Sequence, residues 1–161
     1  MSDMPVTPTD GQHGFDFEVG SWTVRHRTKR PTGEWVEFDG TCVNRPLIGG
    51  QANVEEHTFQ RPIGVGHGIA LRAYDPTTDL WAIWWVDSRV PHLPLDPPVA
   101  GRFEDGVGTF FCDSLMDGVM TRTRYIWSQI TPISARWEQA FSTDSGASWD
   151  VNWVMQFSRV S

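Results

Sequence analysis

The sequence is poor in what would tie a chain to an oxidising compartment, a membrane or a nucleic acid. It has two cysteines in 161 residues. Cys42 and Cys112 show no CxxC spacing and fall in apparent strands, so they read as free, small apolar side chains in a reducing cytoplasm. No apolar run approaches the ~20 residues that span a bilayer. Basic residues are outnumbered 13 to 20, for a net charge of −7, which argues against nucleic acid or an anionic membrane as the main partner. The start, MSDMPVTPTDGQHG, has neither a basic n-region nor an apolar h-region, and residues 1–14 are expected to form a flexible leader rather than a secretory signal. Also missing are a Gly-rich phosphate loop, a GxSxG elbow, an HExxH pair and a recognisable Ser/His/Asp or Cys/His set. Nucleotide cofactors and acyl-enzyme hydrolysis are excluded on that ground, and no cofactor or resident metal is expected.

Nine tryptophans against two tyrosines are the abundance. Trp pairs a large apolar surface with one N–H donor, which suits the walls of a small barrel better than a tight core. Turn signals recur at short intervals: RPTG (30–33), GG (49–50), DPTTD (75–79), DG (105–106 and 117–118) and TDSG (143–146). Between them apolar residues repeat with period two, not 3.6. About ten strands result, near 21–29, 34–44, 51–60, 67–74, 80–87, 99–104, 107–113, 119–128, 134–142 and 149–159. Consecutive hairpins predict an up-and-down antiparallel meander, which loses its edges by closing into a single all-β barrel over residues 15–161. One short helical turn is expected at FDFEVG (15–20). The proline-rich stretch SRVPHLPLDPPVA (88–100) reads as either a lid or a stiff crossing between strands.

Strand parity nominates the interior. In VGSWTVRH, Trp22, Val24 and His26 share one face and Ser21, Thr23, Arg25 and Arg27 the other. In NVEEHTF, Asn53, Glu55, His57 and Phe59 share a face. Glutamates on both faces of that strand leave its orientation open. If the Glu55 side is interior, Glu55 and His57 lie about 7 Å apart along one strand, able to share a water or a substrate proton. His26, Glu55 and His57 are therefore the acid–base candidates. The same three could in principle ligate zinc, though no metal-ligand spacing supports it. In MTRTRYIW, Arg122 and Arg124 oppose Thr123, Tyr125 and Trp127. An interior arginine face could clamp a carboxylate, while an exterior one would pair with charges such as Glu138. Arg72 raises the same question with the same outward bias. Trp85, Trp137 and Trp153 are expected to line an aromatic wall with Trp22, Asn53, Arg124 and Tyr125.

Gly20-x-Trp22 on the first strand resembles the signature that opens lipocalins and related calycin barrels, in which an arginine on the last strand packs across the tryptophan; Arg159 of NWVMQFSRV stands in the matching place. The resemblance is closer to a lipocalin-like bacterial branch carrying FDFEVGSW, YDPTTDLWAIWWVD, GRFEDGVGTF, RYIWS and RWEQAFSTDSG. It implies the fold and no particular activity. The chain departs from haem-binding nitrobindin-like barrels in having no late histidine: the last is His92.

These readings converge on a cytoplasmic barrel enclosing a small, largely apolar, aromatic or cyclic molecule. The alternative is a cofactor-independent isomerase, cyclase or lyase whose His26, Glu55 and His57 move protons inside the same cavity. Pairing into a homodimer is left open.

Overall fold

The computed structural model describes residues 10–90 and 94–161. Ten strands follow one another: β1 Gly20–Lys29, β2 Trp35–Leu47, β3 Ala52–Arg61, β4 Gly64–Asp75, β5 Leu80–Asp87, β6 Val99–Glu104, β7 Val107–Met116, β8 Val119–Ser128, β9 Ser134–Ser142 and β10 Asp150–Arg159. Each pairs antiparallel with the next and β1 pairs with β10, so the sheet closes into an up-and-down barrel without free edges. Turn chemistry sets the register. Asp105-Gly106 and Asp117-Gly118 both hold positive φ at their two central positions, the geometry of the two-residue hairpin turn that DG sequences favour.

The barrel has a packed end and an open end. At the packed end the chain before β1 folds inward as two short 3₁₀ turns, Gly11–His13 and Asp16–Glu18. Phe15 enters edge-on between Trp81 and Phe103, with ring centroids 5.0 and 4.8 Å away. Residues 10–14, expected in a flexible leader, are fastened here. Trp81 Nε1–H donates to the Gly11 carbonyl at 3.0 Å. A Cβ on Gly14 would lie 2.4 Å from the Phe103 ring, so the close approach needs glycine. The rest of the expected leader, residues 1–9, lies outside the described residues.

Trp22 is 1 % exposed and faces inward at this end. Its Nε1–H donates to the Glu18 carbonyl at 2.8 Å. Arg159, directly opposite in the β1–β10 register, stacks its guanidinium 4.2 Å from the indole centroid. The same guanidinium donates to the carbonyls of Phe17, Val19 and Pro132.

One strand inverts the usual rule. On β4 the apolar Ile69 and Leu71 point outward, while Gly66, Gly68 and Ala70 point inward. The small residues make room: a Cβ on Gly68 would sit 2.4 Å from the Trp85 ring, and one on Gly66 2.5 Å from the Arg61 guanidinium. Cys42 and Cys112 are both free thiols. Among the described residues no helix is long and apolar enough to cross a membrane.

Candidate functional site

Inward parity on β1 to β4, together with the N-terminal turn, gathers a belt of polar groups across the barrel's middle. Glu18, His26, Asn44, Asn53, Glu55, His57 and Arg72 are all buried. Arg72 is its hub. One of its terminal nitrogens donates to Glu18 and to Asn53 Oδ1 (3.1 Å), and the other donates to Glu55. Glu55 also bonds His57 Nε2, and Asn44 Nδ2 donates both to Glu18 and to Asn53 Oδ1. This network ties the N-terminal turn to β2, β3 and β4, although Arg72 Nε and Asn44 Oδ1 are buried without a hydrogen-bond partner among the described residues. The orientation of β3 is thereby settled: the Glu55 face is the interior one.

The belt divides its charge unequally. Burial drives Glu18 well above the usual carboxylate range, with Arg72 opposing and the nearby Glu55 reinforcing. Burial also works to raise Glu55, but Arg72 and His57 outweigh it and hold that carboxyl well below its ordinary value. The two carboxyls are thus pushed in opposite directions, Glu18 toward its neutral form and Glu55 toward its ionised one. Burial, followed by the carboxylates of Glu55 and Glu18, keeps the Cys42 thiol protonated. His26 is pushed down to about 3 by burial and then by His57 and Arg61, so it is neutral at physiological pH. Its Nδ1 accepts from Trp153 Nε1–H at 3.1 Å, which leaves the proton on Nε2. Among the described residues, His26 Nε2 and His57 Nδ1 have no hydrogen-bond partner.

The barrel centre is nearly filled, which corrects the expectation of a ligand-sized hollow there. An enclosed chamber of about 40 Å³ remains, bounded by Glu55, Arg72, Tyr125, Trp137, Trp153 and Met155 among others. That is room for about one water. The larger spaces lie outward. A side pocket of about 180 Å³ sits under Asp96 and Pro97, bordered by Trp85, Cys112, Tyr125 and Phe141. An open hollow of about 690 Å³ forms the mouth, with Val36, Phe38, Ile63, Phe141 and Trp153 as its apolar walls. Gln139 borders all three spaces, and its Nε2–H donates to Asn152 Oδ1 at 2.8 Å.

The sequence-predicted residues therefore separate. Glu55, Trp85, Tyr125, Trp137 and Trp153 border a space. His26 and His57 lie inside but stack on Phe38 and Phe59 rather than lining the chamber. Trp22 belongs to the packed end and Asn53 to the belt. Arg124 is a correction: with Tyr125 facing in, parity turns Arg124 out, where it pairs with Glu138 at 3.4 Å and lies 4.2 Å from the Trp149 ring. Arg72 is the opposite correction, since an outward bias was expected and it is 2 % exposed. Sequence reasoning missed Glu18, which comes from a 3₁₀ turn with no periodicity to betray it. It also passed over Asn44 and Arg61; parity with Cys42 and Phe59 was the available signal. Among the described residues the trio able to hold a metal ion is Cys42, Glu55 and His57, with donor atoms within 4.8 Å of one another, not the set containing His26. The Arg72 guanidinium already supplies Glu55 with a cation. Of the proline-rich stretch, residues 91–93 lie outside the described residues, and Asp96 and Pro97 roof the side pocket.

The model of the family described as protein of unknown function (DUF1579) matches residues 7–95. The chain belongs to that family. No curated protein matches it in sequence. Among solved structures, this DUF1579 chain resembles Rv2717c from M. tuberculosis, with a TM-score of 0.60 and 10 % identity over 99 % of this chain and 100 % of that one. It also resembles the S-type phycobiliprotein lyase CPES from Guillardia theta, with a TM-score of 0.58 and 11 % identity over 93 % and 92 % of the two chains. At such identities the likeness is one of fold.

Proposed function

We propose that this barrel holds a small, largely apolar molecule with an aromatic or cyclic body in its outer half, seated in the mouth against Phe38, Phe141 and Trp153. The observation that carries this reading is the mouth hollow itself. Its volume of about 690 Å³ falls within the ~300–1,000 Å³ typical of ligand sites, and its walls mix aromatic faces with the amides of Gln139 and Asn152 and a set of charged side chains. The two free thiols fit a reducing cytoplasm as its place of work. The neutral dye N-phenyl-1-naphthylamine tests the proposal. It should take up excitation from the protein's tryptophans on binding, and Trp153→Ala should weaken that binding by about tenfold through the lost aromatic contact. Absence of energy transfer to this dye and to a panel of other neutral ring compounds would overturn it.

A second reading, a cofactor-independent isomerase, cyclase or lyase, is favoured by one observation: Glu55 borders the inner chamber and bonds His57. One solved structure with this fold is a phycobiliprotein lyase, so the architecture serves at least one enzyme. On this reading a substrate would have to displace Trp153 or Gln139 to reach Glu55. Glu55→Gln and His57→Ala would then leave dye binding in place while abolishing turnover.

A further inference from the structure

The mouth is not electrically neutral, although the chain as a whole carries −7. Lys29, Arg30, Arg61 and Arg89 line it, and the one carboxylate among the lining residues is Asp150. Lys29 is paired with Asp150. Arg89 holds Asp87 through two hydrogen bonds of 3.0 and 2.8 Å. Arg30 has no ion-pair partner among the described residues.

Arg61 is the telling member. It follows Glu55, His57 and Phe59 on the inward face of β3, at the end that opens to solvent. Its guanidinium lies 4.4 Å from the Phe59 ring centroid and its side chain is 13 % exposed. Its nearest carboxylate oxygen, Asp87 Oδ2, is 3.7 Å away, beyond hydrogen-bond distance. Asp87 is thus shared by two guanidinia, hydrogen-bonded to Arg89 and in a longer ion pair with Arg61. Burial, followed by repulsion from Arg89, lowers the Arg61 pKa, and Asp87 only partly opposes them. A guanidinium held on an aromatic face, largely desolvated and with only a long ion pair to a carboxylate it shares with Arg89, is prepared to take an incoming anion through charge-assisted bonds.

We infer that Arg61, at the mouth of the barrel, is an anion subsite, and that the ligand is an amphipathic anion whose ring body lies on Phe38, Phe141 and Trp153 while its carboxylate or sulfonate pairs with Arg61. This rests on the ligand-binding reading above and names the chemical class that the mouth selects. Arg30 adds long-range attraction from the rim, weakened by salt.

A matched pair of dyes tests it: 8-anilinonaphthalene-1-sulfonate and N-phenyl-1-naphthylamine, which share a ring system and differ by the sulfonate. In low salt the sulfonate should bind at least about tenfold more tightly, the worth of one good charge-assisted contact. Arg61→Met keeps the packing on Phe59 and should bring the two dyes within about threefold, weakening the sulfonate far more than the neutral dye. Arg61→Lys should restore part of the preference. Equal affinities in the native protein, or a preference that survives Arg61→Met, overturn the anion subsite and leave ligand binding standing. Failure of both dyes to bind overturns the subsite together with the reading beneath it.

Discussion

The same ten strands run through both ends of this barrel, yet one end is sealed and the other gapes. At the packed end Phe15, Trp22, Trp81, Phe103 and Phe110 are each 2 % exposed or less. At the other end Ile63 is 88 % exposed and the hollow between Phe38 and Trp153 stays open. What differs is material from outside the sheet. The turn before β1 puts Phe15 and Glu18 into one end, and among the described residues nothing equivalent reaches into the other. Closure is therefore the work of one short segment, and the mouth is what a barrel of this girth leaves when no such segment enters it. The polar belt around Arg72 is the boundary between the two.

Breaking that boundary should have the largest effect. Arg72→Met leaves Glu18 and Glu55 buried without their shared cation and should cost about 3–5 kcal/mol of stability in urea unfolding. Part of that loss should return when Glu18→Gln and Glu55→Gln are added, because the uncompensated charge is then gone. A loss below about 1 kcal/mol would mean the belt tolerates water and the two ends are not separated as described. At the sealed end, Arg159→Met should cost about 2–3 kcal/mol, from the indole stack and from three carbonyls left without a donor. Substituting an exposed rim residue, as in Ile63→Ser, should stay within about 0.5 kcal/mol, and a rim effect as large as that of Arg159 would erase the contrast.

The contrast was only half legible in the sequence. Period-two patterning and DG turns located ten strands, because hairpin geometry is local and each turn demands its own residues. The Trp22–Arg159 stack was legible only through the resemblance of Gly20-x-Trp22 and Arg159 to the calycin pattern, not through strand parity. The belt was not. On β3 glutamates occupy both faces, and on β4 the outward face is the more apolar one, so hydrophobicity pointed the wrong way for Arg72. What decides those faces is volume: Gly66, Gly68 and Ala70 must face in for Trp85 and Arg61 to fit. That requirement comes from neighbouring strands and is invisible along a single one. Glu18 escaped because it lies in a 3₁₀ turn, where no repeat marks a buried side.

His26 offers a pH test of the boundary. In the unfolded chain it takes up a proton as pH falls through about 6.5, whereas the folded protein holds it neutral down to about 3. The unfolded state therefore binds the extra proton throughout that window, and stability must fall as pH falls, by up to about 1.4 kcal/mol per unit. Between pH 6 and 5, above the range where ordinary carboxylates titrate, His26→Phe should flatten the dependence of the urea midpoint by one proton's worth. An unchanged slope would mean that His26 already charges in the folded barrel and that water from the mouth reaches it.

A smaller effect than those at the belt and the sealed end should come from the contact that joins the two halves. Trp153 stands in the wall of the mouth and also borders the inner chamber, and its N–H is the donor to His26. Trp153→Phe keeps an aromatic ring in place and removes that donor, leaving the buried His26 Nδ1 without a partner, at a cost of about 1 kcal/mol. In the His26→Phe background the same substitution should cost almost nothing, since no acceptor is left to orphan. The double-mutant cycle thus isolates the side-chain hydrogen bond from Trp153 in the mouth to His26 in the belt. A coupling near zero would mean that Trp153 serves the mouth alone, leaving the wall of the ligand hollow free to move without disturbing the belt behind it.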